Sequence, residues 1–200
     1  MLCTTGAPPD GDEWRLEVKF DGIRGQLRVD DRGWTLRSRP GHDRTTDFPE
    51  LEAVRDALGG RAVLLDGEVV VFDRAGRPDF AAVRRRLGGR RADPGPRATF
   101  VVWDLLHLDG RAVRALRLRE RQAMLADLLR RRGPGFCLAE PLTAPVDQVL
   151  AVLAAHQLEG VVAKHFGSRW QPGWRTPHWR KHKLRRRHEL RVAGWDPGDD

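Results

Sequence analysis

The alternation of apolar and polar residues predicts strands near the start of the chain. Residues 14–19 alternate as a half-buried strand does. Residues 26–29 and 34–37 are two further strands, joined through Asp30-Asp31-Arg32-Gly33, a sequence typical of a hairpin turn. Residues 4–11, rich in Gly and Pro, predict a loop before them.

Helical signals recur further along the chain. Asp47 is predicted to cap a helix that begins at Phe48, with Glu50 as its capping partner and Gly59-Gly60 as its end. A short helix is predicted at residues 79–87. Residues 118–131 form the clearest amphipathic pattern. The last predicted helix covers residues 146–156.

Valine-rich apolar runs predict the remaining strands. Residues 62–72 are too short for a confident helix and predict a buried strand, kinked where Asp66-Gly67-Glu68 interrupts it. Burial of those two carboxylates costs stability unless they serve a function. Hairpins with inserted helices favour an α+β fold with largely antiparallel sheets. The other predicted strands are residues 99–106, 136–139 and 160–164, and residues 90–97 are predicted to be a loop.

Composition narrows the possible functions. A formal net charge of +8 over 200 residues favours an anionic partner such as a polyphosphate or a nucleic acid. The two cysteines, Cys3 and Cys137, have no metal-ligand spacing, so we expect reduced thiols in a cytoplasmic protein without zinc. No apolar run has the length of a membrane span, so we expect no membrane partner.

Lysine is rare, and this rarity directs attention to one residue. Of 36 basic residues only four are lysine, and Lys19 stands apart from the other three. Arginine stays protonated, whereas a lysine amine can lose its proton among other cations and attack an electrophile. Lys19 is therefore a candidate nucleophile, although a coding bias towards arginine would also make lysine rare.

Six short motifs follow one another in a characteristic order. The first, Lys19-Phe20-Asp21-Gly22-Ile23-Arg24, resembles the active-site motif of covalent nucleotidyltransferases, the superfamily of ATP-dependent DNA ligases, RNA ligases and mRNA capping enzymes. The segment at residues 170–175 also resembles the ligase domains of bacterial non-homologous end-joining enzymes. The five later motifs are Ser38-Arg39-Pro40-Gly41, Leu65-Asp66-Gly67-Glu68, Phe100-Val101-Val102-Trp103-Asp104, Glu159-Gly160-Val161-Val162-Ala163-Lys164 and Trp179-Arg180-Lys181-His182-Lys183.

This resemblance implies a fold and a reaction. The implied fold is the nucleotidyltransferase (ATP-grasp-like) ligase adenylation fold, an α+β fold of largely antiparallel sheets with flanking helices. Lys19 is implied to attack the α-phosphorus of ATP, expel pyrophosphate and hold AMP through a phosphoramidate bond. AMP would then pass to a DNA 5′-phosphate, and a 3′-hydroxyl would seal the nick. Cations beside Lys19 would disfavour its ammonium form and stabilise the phosphoryl oxygens.

The resemblance also implies roles for the other motif residues. Trp103 stands where the family usually carries a Phe or Tyr that stacks on adenine, and an indole also stacks well. Mg²⁺ or Mn²⁺ is implied at Glu159, with Glu68 serving a ribose hydroxyl or the metal. Packing in the sheet is the competing interpretation for Trp103, and a place in a turn for the two carboxylates. The implied nucleotide-binding residues are Glu17, Arg24, Arg39, Glu68, Trp103, Lys181 and Lys183.

Duplex DNA with nicks or ends is the implied macromolecular partner, contacted by Arg39, Arg180 and Arg185. Family ligases continue into an OB-fold domain, and residues 189–200 resemble only its first strand. We therefore assign residues 1–188 to the nucleotidyltransferase domain and 189–200 to a stub, with a separate OB-fold or end-joining protein as a possible partner. An RNA ligase, and a non-catalytic remnant that binds nucleotides or DNA ends, are the alternatives.

Overall fold

The computed structural model describes residues 1–88, 96–129, 133, 135–184 and 194. Within them, ten strands form two sheets, and four α-helices flank the sheets. None of the described helices has both the length and the apolar character needed to cross a membrane. The strands are β1 (Leu2–Thr5), β2 (Trp14–Val18), β3 (Ile23–Asp30), β4 (Gly33–Ser38), β5 (Val63–Val71), β6 (Ala98–Leu108), β7 (Arg111–Ala112), β8 (Phe136–Leu138), β9 (Gly160–His165) and β10 (Arg175–Lys183). The helices are α1 (Ala53–Ala57), α2 (Phe80–Arg86), α3 (Leu118–Leu128) and α4 (Val146–Ala155).

The larger sheet has the order β4-β3-β5-β6-β7, with β8 paired to β6. The predicted hairpin is confirmed, because β3 and β4 pair up to the contact of Asp30 with Gly33. The predicted acidic kink lies in β5, where the register with β6 shifts between Asp66 and Gly67. This bulge brings the two acidic side chains of β5 close to the motif residues of β3 and β6.

The smaller sheet has the order β1-β10-β9-β2. It is antiparallel except for β1, which runs parallel to β10. The prediction of a loop at residues 4–11 missed β1, and no strand was predicted for residues 175–183. Strand β1 depends on its pairing with β10, about 170 positions away, which local patterns do not reveal, whereas β10 also pairs with its chain neighbour β9.

The apolar core is divided between the sheets. The main cluster packs the larger sheet against α1 and α3, with Leu27, Leu65 and Phe100 fully buried. A second cluster packs β2 and β9 against α4. Antiparallel pairs dominate both sheets, so the α+β prediction is confirmed.

The helix predicted to begin at Phe48 is wrong in its first half. Two 3-10 turns occupy Thr45–Asp47 and Pro49–Glu52, and the α-helix begins only at Ala53. Glu50 does not serve as a capping partner, because its carboxylate accepts hydrogen bonds from Arg86 and from the amide of Ala98. Distant partners thus override the local capping signal.

The other predicted helices are present within the described residues. Asp79 caps α2 by accepting a hydrogen bond from the Ala82 amide at 2.9 Å. Helix α3 begins at Leu118 as predicted but ends at Leu128, three residues before the predicted Arg131, which lies outside the described residues. Helix α4 ends one residue before the predicted His156.

Candidate active site

A cavity of about 200 Å³ lies where residues of the two sheets meet. The smaller sheet contributes strands β1, β2, β9 and β10, and the larger sheet contributes one or more residues from each of β3, β5 and β6. Seven of the residues for which the resemblance implies a role in catalysis or nucleotide binding line this cavity. The lining residues are Leu2, Cys3, Glu17, Val18, Lys19, Phe20, Arg24, Arg39, Glu68, Trp103, Val162, Lys164, Arg175, Trp179 and Lys181.

Lys19 follows the end of β2 and pairs with the carboxylate of Glu159, the residue before β9. Its Nζ donates to Glu159 Oε2 at 2.5 Å, and Lys183 Nζ lies 2.8 Å from the other oxygen, Oε1. Partial burial opposes ionisation of Glu159, but the two lysine hydrogen bonds prevail and lower its pKa. The hydrogen bond from Glu159 in turn raises the pKa of Lys183. The carboxylate of Glu159, 140 residues from Lys19, therefore joins the first motif to the last.

Gly22 allows the first motif to pass close to β5. A Cβ on Gly22 would lie 2.3 Å from the Val69 carbonyl oxygen, so no larger residue fits without a shift. The neighbouring Asp21 has its pKa raised by partial burial and by the nearby Glu159. Sequence reasoning assigned no role to Asp21, although it belongs to the first motif.

Glu17 is 2% exposed and holds three donors. Lys164 Nζ donates to its Oε2 at 2.5 Å, while Arg15 Nε and Gln122 Nε2 donate to Oε1 at 2.7 and 3.2 Å. Lys164 also lies between two indoles, 4.6 Å from the ring centre of Trp179 and 4.9 Å from that of Trp103. The resemblance did not place Lys164 among the nucleotide-binding residues, yet the structure buries it in the cavity wall.

Arg24 is held by a buried carboxylate. Its Nε and Nη2 donate to Asp66 at 3.0 and 2.6 Å, and Nη1 donates to the Met1 carbonyl at 2.6 Å. Burial opposes ionisation of Asp66, but Arg24 and the Trp170 indole N–H prevail and lower its pKa. The guanidinium fork predicted to contact phosphate is therefore engaged by Asp66 in this structure.

Glu68 lines the same cavity as Arg24 and Lys19. Burial raises the pKa of Glu68 to about 8, although both cations oppose this rise. At pH 7 the carboxyl is accordingly mostly protonated, and it can donate a hydrogen bond as well as accept one.

Trp103 separates this cavity from a smaller one of about 130 Å³ beside α3. Arg24 lies 5.7 Å from the centre of its ring. Within the described residues, the buried indole nitrogen has no hydrogen-bond partner. Packing and cation–π contacts, rather than a hydrogen bond, thus fix this ring.

The remaining predicted residues divide into three groups. Arg39 and Lys181, for which the resemblance implies nucleotide binding, line the cavity. Arg180 alternates with Lys181 on β10 and lies over the Trp14 ring at 5.5 Å, on the face packed towards α4. Arg185 and the stub at 189–200, apart from Gly194, lie outside the described residues. Sequence reasoning missed Cys3 and Arg175, which reach the cavity through the pairing of β1 with β10.

Comparisons with known proteins agree with this geometry. Residues 8–183 match the family described as ATP dependent DNA ligase domain. The chain is 37% identical over its whole length to the multifunctional non-homologous end joining DNA repair protein LigD of Mycobacterium tuberculosis, and covers 25% of that protein. It is 30% identical to the bifunctional non-homologous end joining protein LigD of Bacillus subtilis, covering 98% of this chain and 35% of that one.

A solved structure shows the same fold. The mycobacterial DNA ligase D complexed with ATP and MES superposes with a TM-score of 0.80 at 35% identity, covering 91% of this chain and 58% of that one. The chain spans about a quarter to a third of the length of the LigD proteins it matches. The extent of the family match, together with the order of its motifs, shows that this chain belongs to the ATP-dependent DNA ligase family and forms its adenylation domain.

Proposed function

We propose that this domain forms a covalent lysyl-AMP on Lys19 and uses it to seal breaks in duplex DNA. The observation that carries the proposal is the position of the Lys19 amine, which lines a cavity together with Arg39, Glu68 and Lys181. A candidate nucleophile, two cations suited to phosphate and a carboxyl group suited to a ribose hydroxyl thus share one site. The relative solved with ATP supports a nucleotide as the ligand.

In the first step the Lys19 nitrogen forms a bond to the α-phosphorus of ATP. The bond from that phosphorus to the bridging oxygen breaks and pyrophosphate leaves, while the nitrogen, which attacks as a neutral amine, releases one proton to solvent and keeps one hydrogen in the phosphoramidate. A DNA 5′-phosphate oxygen then attacks the AMP phosphorus and releases Lys19. Finally a 3′-hydroxyl attacks the activated 5′-phosphate, forming the phosphodiester and releasing AMP.

The cavity residues divide this work by position. Trp103 offers a ring face for adenine, and Glu17, fixed by its three donors, forms the wall behind it. The protonated Glu68 carboxyl serves the ribose hydroxyl. Lys181 and Arg39 meet the phosphates, where fixed cations stabilise charge that develops on the oxygens.

The ion pair of Lys19 with Glu159 keeps the amine oriented before the reaction. An ammonium held by a carboxylate has no lone pair to donate, so this contact must weaken before attack. Glu159, with Asp21 close by, provides the hard oxygen donors that Mg²⁺ or Mn²⁺ prefers. A divalent cation bound there would weaken the ion pair of Glu159 with Lys19, which favours the neutral amine. It would also stabilise the α-phosphate oxygens.

The test is labelling with ATP that carries an isotope on the α-phosphate. We expect one AMP on the peptide containing Lys19, located by mass spectrometry, and none in Lys19→Ala or in the charge-preserving Lys19→Arg. Label on another lysine, or equal label in the variants, would refute the assignment. A folded wild-type chain that takes up no label would support the non-catalytic remnant.

A DNA substrate is favoured over RNA because the matched family is one of DNA ligases. Comparing nicks that end in a 3′-terminal deoxyribose or ribose tests this choice, and we expect faster sealing of the deoxyribose nick. The relatives are named for non-homologous end joining, which supports a role at DNA breaks and an end-joining partner for this chain.

A further inference from the structure

We infer that Trp174 is a docking residue for open duplex DNA ends, stacking on the terminal base pair beside the nucleotide cavity. This inference rests on the proposed function and adds to it a contact for the DNA. Trp174 is 69% exposed, whereas every other tryptophan within the described residues is buried or half-buried. An exposed indole offers a large flat face for stacking, and tryptophan is enriched at binding interfaces.

The turn that carries Trp174 is anchored at both ends. Before it, the Trp170 indole donates to the buried Asp66 at 3.0 Å, and the Trp170 amide donates to the Arg114 carbonyl at 2.9 Å. After it, the Trp174 carbonyl accepts from the Leu2 amide at 2.6 Å. The exposed indole therefore projects from a fixed backbone, which lowers the entropy cost of binding.

The turn lies next to the reacting groups. Arg175, the next residue, lines the nucleotide cavity and donates to the Cys3 carbonyl. Asp66, which holds Trp170, also holds Arg24 in the cavity wall. A DNA end that meets Trp174 thus has its terminal phosphate close to the cavity.

The charge around Trp174 identifies the partner as a nucleic acid. No acidic residue occurs in the sequence between Glu159 and Glu189, and this segment contains Arg169 and Arg175 on either side of the turn. Arginines bind the phosphate backbone, while an aromatic ring stacks on a base regardless of its identity. In an intact duplex the base faces are covered by their neighbours, so a stacking indole selects an open end.

Binding of DNA to the whole chain tests this inference. Fluorescence anisotropy measures affinity for a short, internally labelled blunt duplex, with closed circular plasmid as an unlabelled competitor. We expect Trp174→Ala to weaken binding of the short duplex by roughly tenfold, the value of one stacked base. The affinity of Trp174→Ala for the circular competitor should equal that of the wild type, so the preference for open ends disappears in the variant.

Matched variants separate stacking from other causes. Trp174→Phe should restore most of the affinity, and Val152→Ala, which truncates another exposed apolar side chain on α4, should bind as the wild type does. Trp174→Ala removes no charge, so its salt slope should equal that of the wild type, whereas Arg175→Gln should reduce the slope by about 1. Thermal melting confirms that each variant is folded.

Three outcomes would overturn the inference. They are wild-type affinity in folded Trp174→Ala, an equal loss of affinity for the circular DNA, or self-association of the wild type that Trp174→Ala abolishes. The proposed function fails separately, when the wild type takes no AMP onto Lys19. If the wild type takes AMP onto Lys19 but Trp174→Ala binds DNA as the wild type does, the proposed function stands and only the docking role is refuted.

Discussion

Replacing Arg121 by methionine should destabilise the domain more than any change of a surface arginine. Arg121 and Asp104 have no solvent-exposed surface, and Nε and Nη2 each donate to the carboxylate at 2.8 Å. Nη1 also donates to the carbonyls of Leu116 and Ser168, at 2.6 and 3.1 Å. The pair therefore joins β6, beside Trp103, to α3 and to the segment before Trp170.

The magnitude follows from burial. Removing one partner of a buried ion pair costs about 3–5 kcal/mol, because the other charge is left without compensation. In a domain of this size that loss lowers the melting temperature by roughly 6–20 °C. The matched control is Arg55→Met, since Arg55 lies 3.9 Å from Glu52 and both side chains are exposed. We expect about 0–1 kcal/mol there.

The unfolding free energy lost in Arg121→Met should also depend on pH. Burial raises the pKa of Asp104, although Arg121 opposes the rise, so the variant should raise it further. A carboxyl with a raised pKa in the folded state contributes stability that is present below its unfolded pKa. That contribution is lost as pH rises through the folded pKa. The free energy of unfolding should therefore fall more at pH 8 than at pH 5.

Chemical denaturation of the wild type, Arg121→Met and Arg121→Met/Asp104→Leu at both pH values is the assay. The double variant should recover much of the loss, because apolar residues of similar volume often replace a buried ion pair without cost. A loss below about 1 kcal/mol, equal losses at the two pH values, or a double variant weaker than the single one would refute the reasoning.

Three further predictions concern the cavity wall. Gly22→Ala should lose most lysyl-AMP labelling and about 1–3 kcal/mol of stability through its clash with Val69, whereas Gly6→Ala, with open space around it, should label normally. Glu68→Gln should remove part of the fall in unfolding free energy between about pH 5 and 8, because the pKa of Glu68, raised by burial to about 8 in the folded state, makes its contribution to stability decrease as pH rises through this window; an unchanged pH profile would contradict this. Trp170→Phe should cost about 1–3 kcal/mol in denaturation by removing its hydrogen bond to Asp66, and a wild-type midpoint would show that bond to be unimportant.

Local signals predicted the parts of the fold that depend on near neighbours. The β3–β4 hairpin and the start of α3 follow from alternation, turn residues and helical spacing, all read within a few positions. The helix at Phe48 failed because Glu50 binds Arg86, which lies 36 residues away. Tertiary contacts between residues so far apart cannot be predicted from a short stretch of sequence.

The motif series predicted which residues meet in the cavity, but not how their charges are paired. The meeting of Lys19, Glu68 and Lys181 was expected from the resemblance. The pairing of Glu17 with Lys164 spans 147 residues and depends on the register of β2 with β9. Short motifs do not reveal that register, so the motif series assigned no role to Lys164.

The pairing of charges separates cations that shape the cavity from cations that remain for phosphate. Lys164 and Arg24 are bound to buried carboxylates, so their charge is largely balanced and their loss should cost stability. Within the described residues, Arg39 and Lys181 line the same cavity without a carboxylate partner. Under the proposed function, the charge of these two residues is the charge available to an incoming triphosphate. Substitutions of Arg39 and Lys181 should therefore weaken ATP binding while leaving the fold nearly as stable as before.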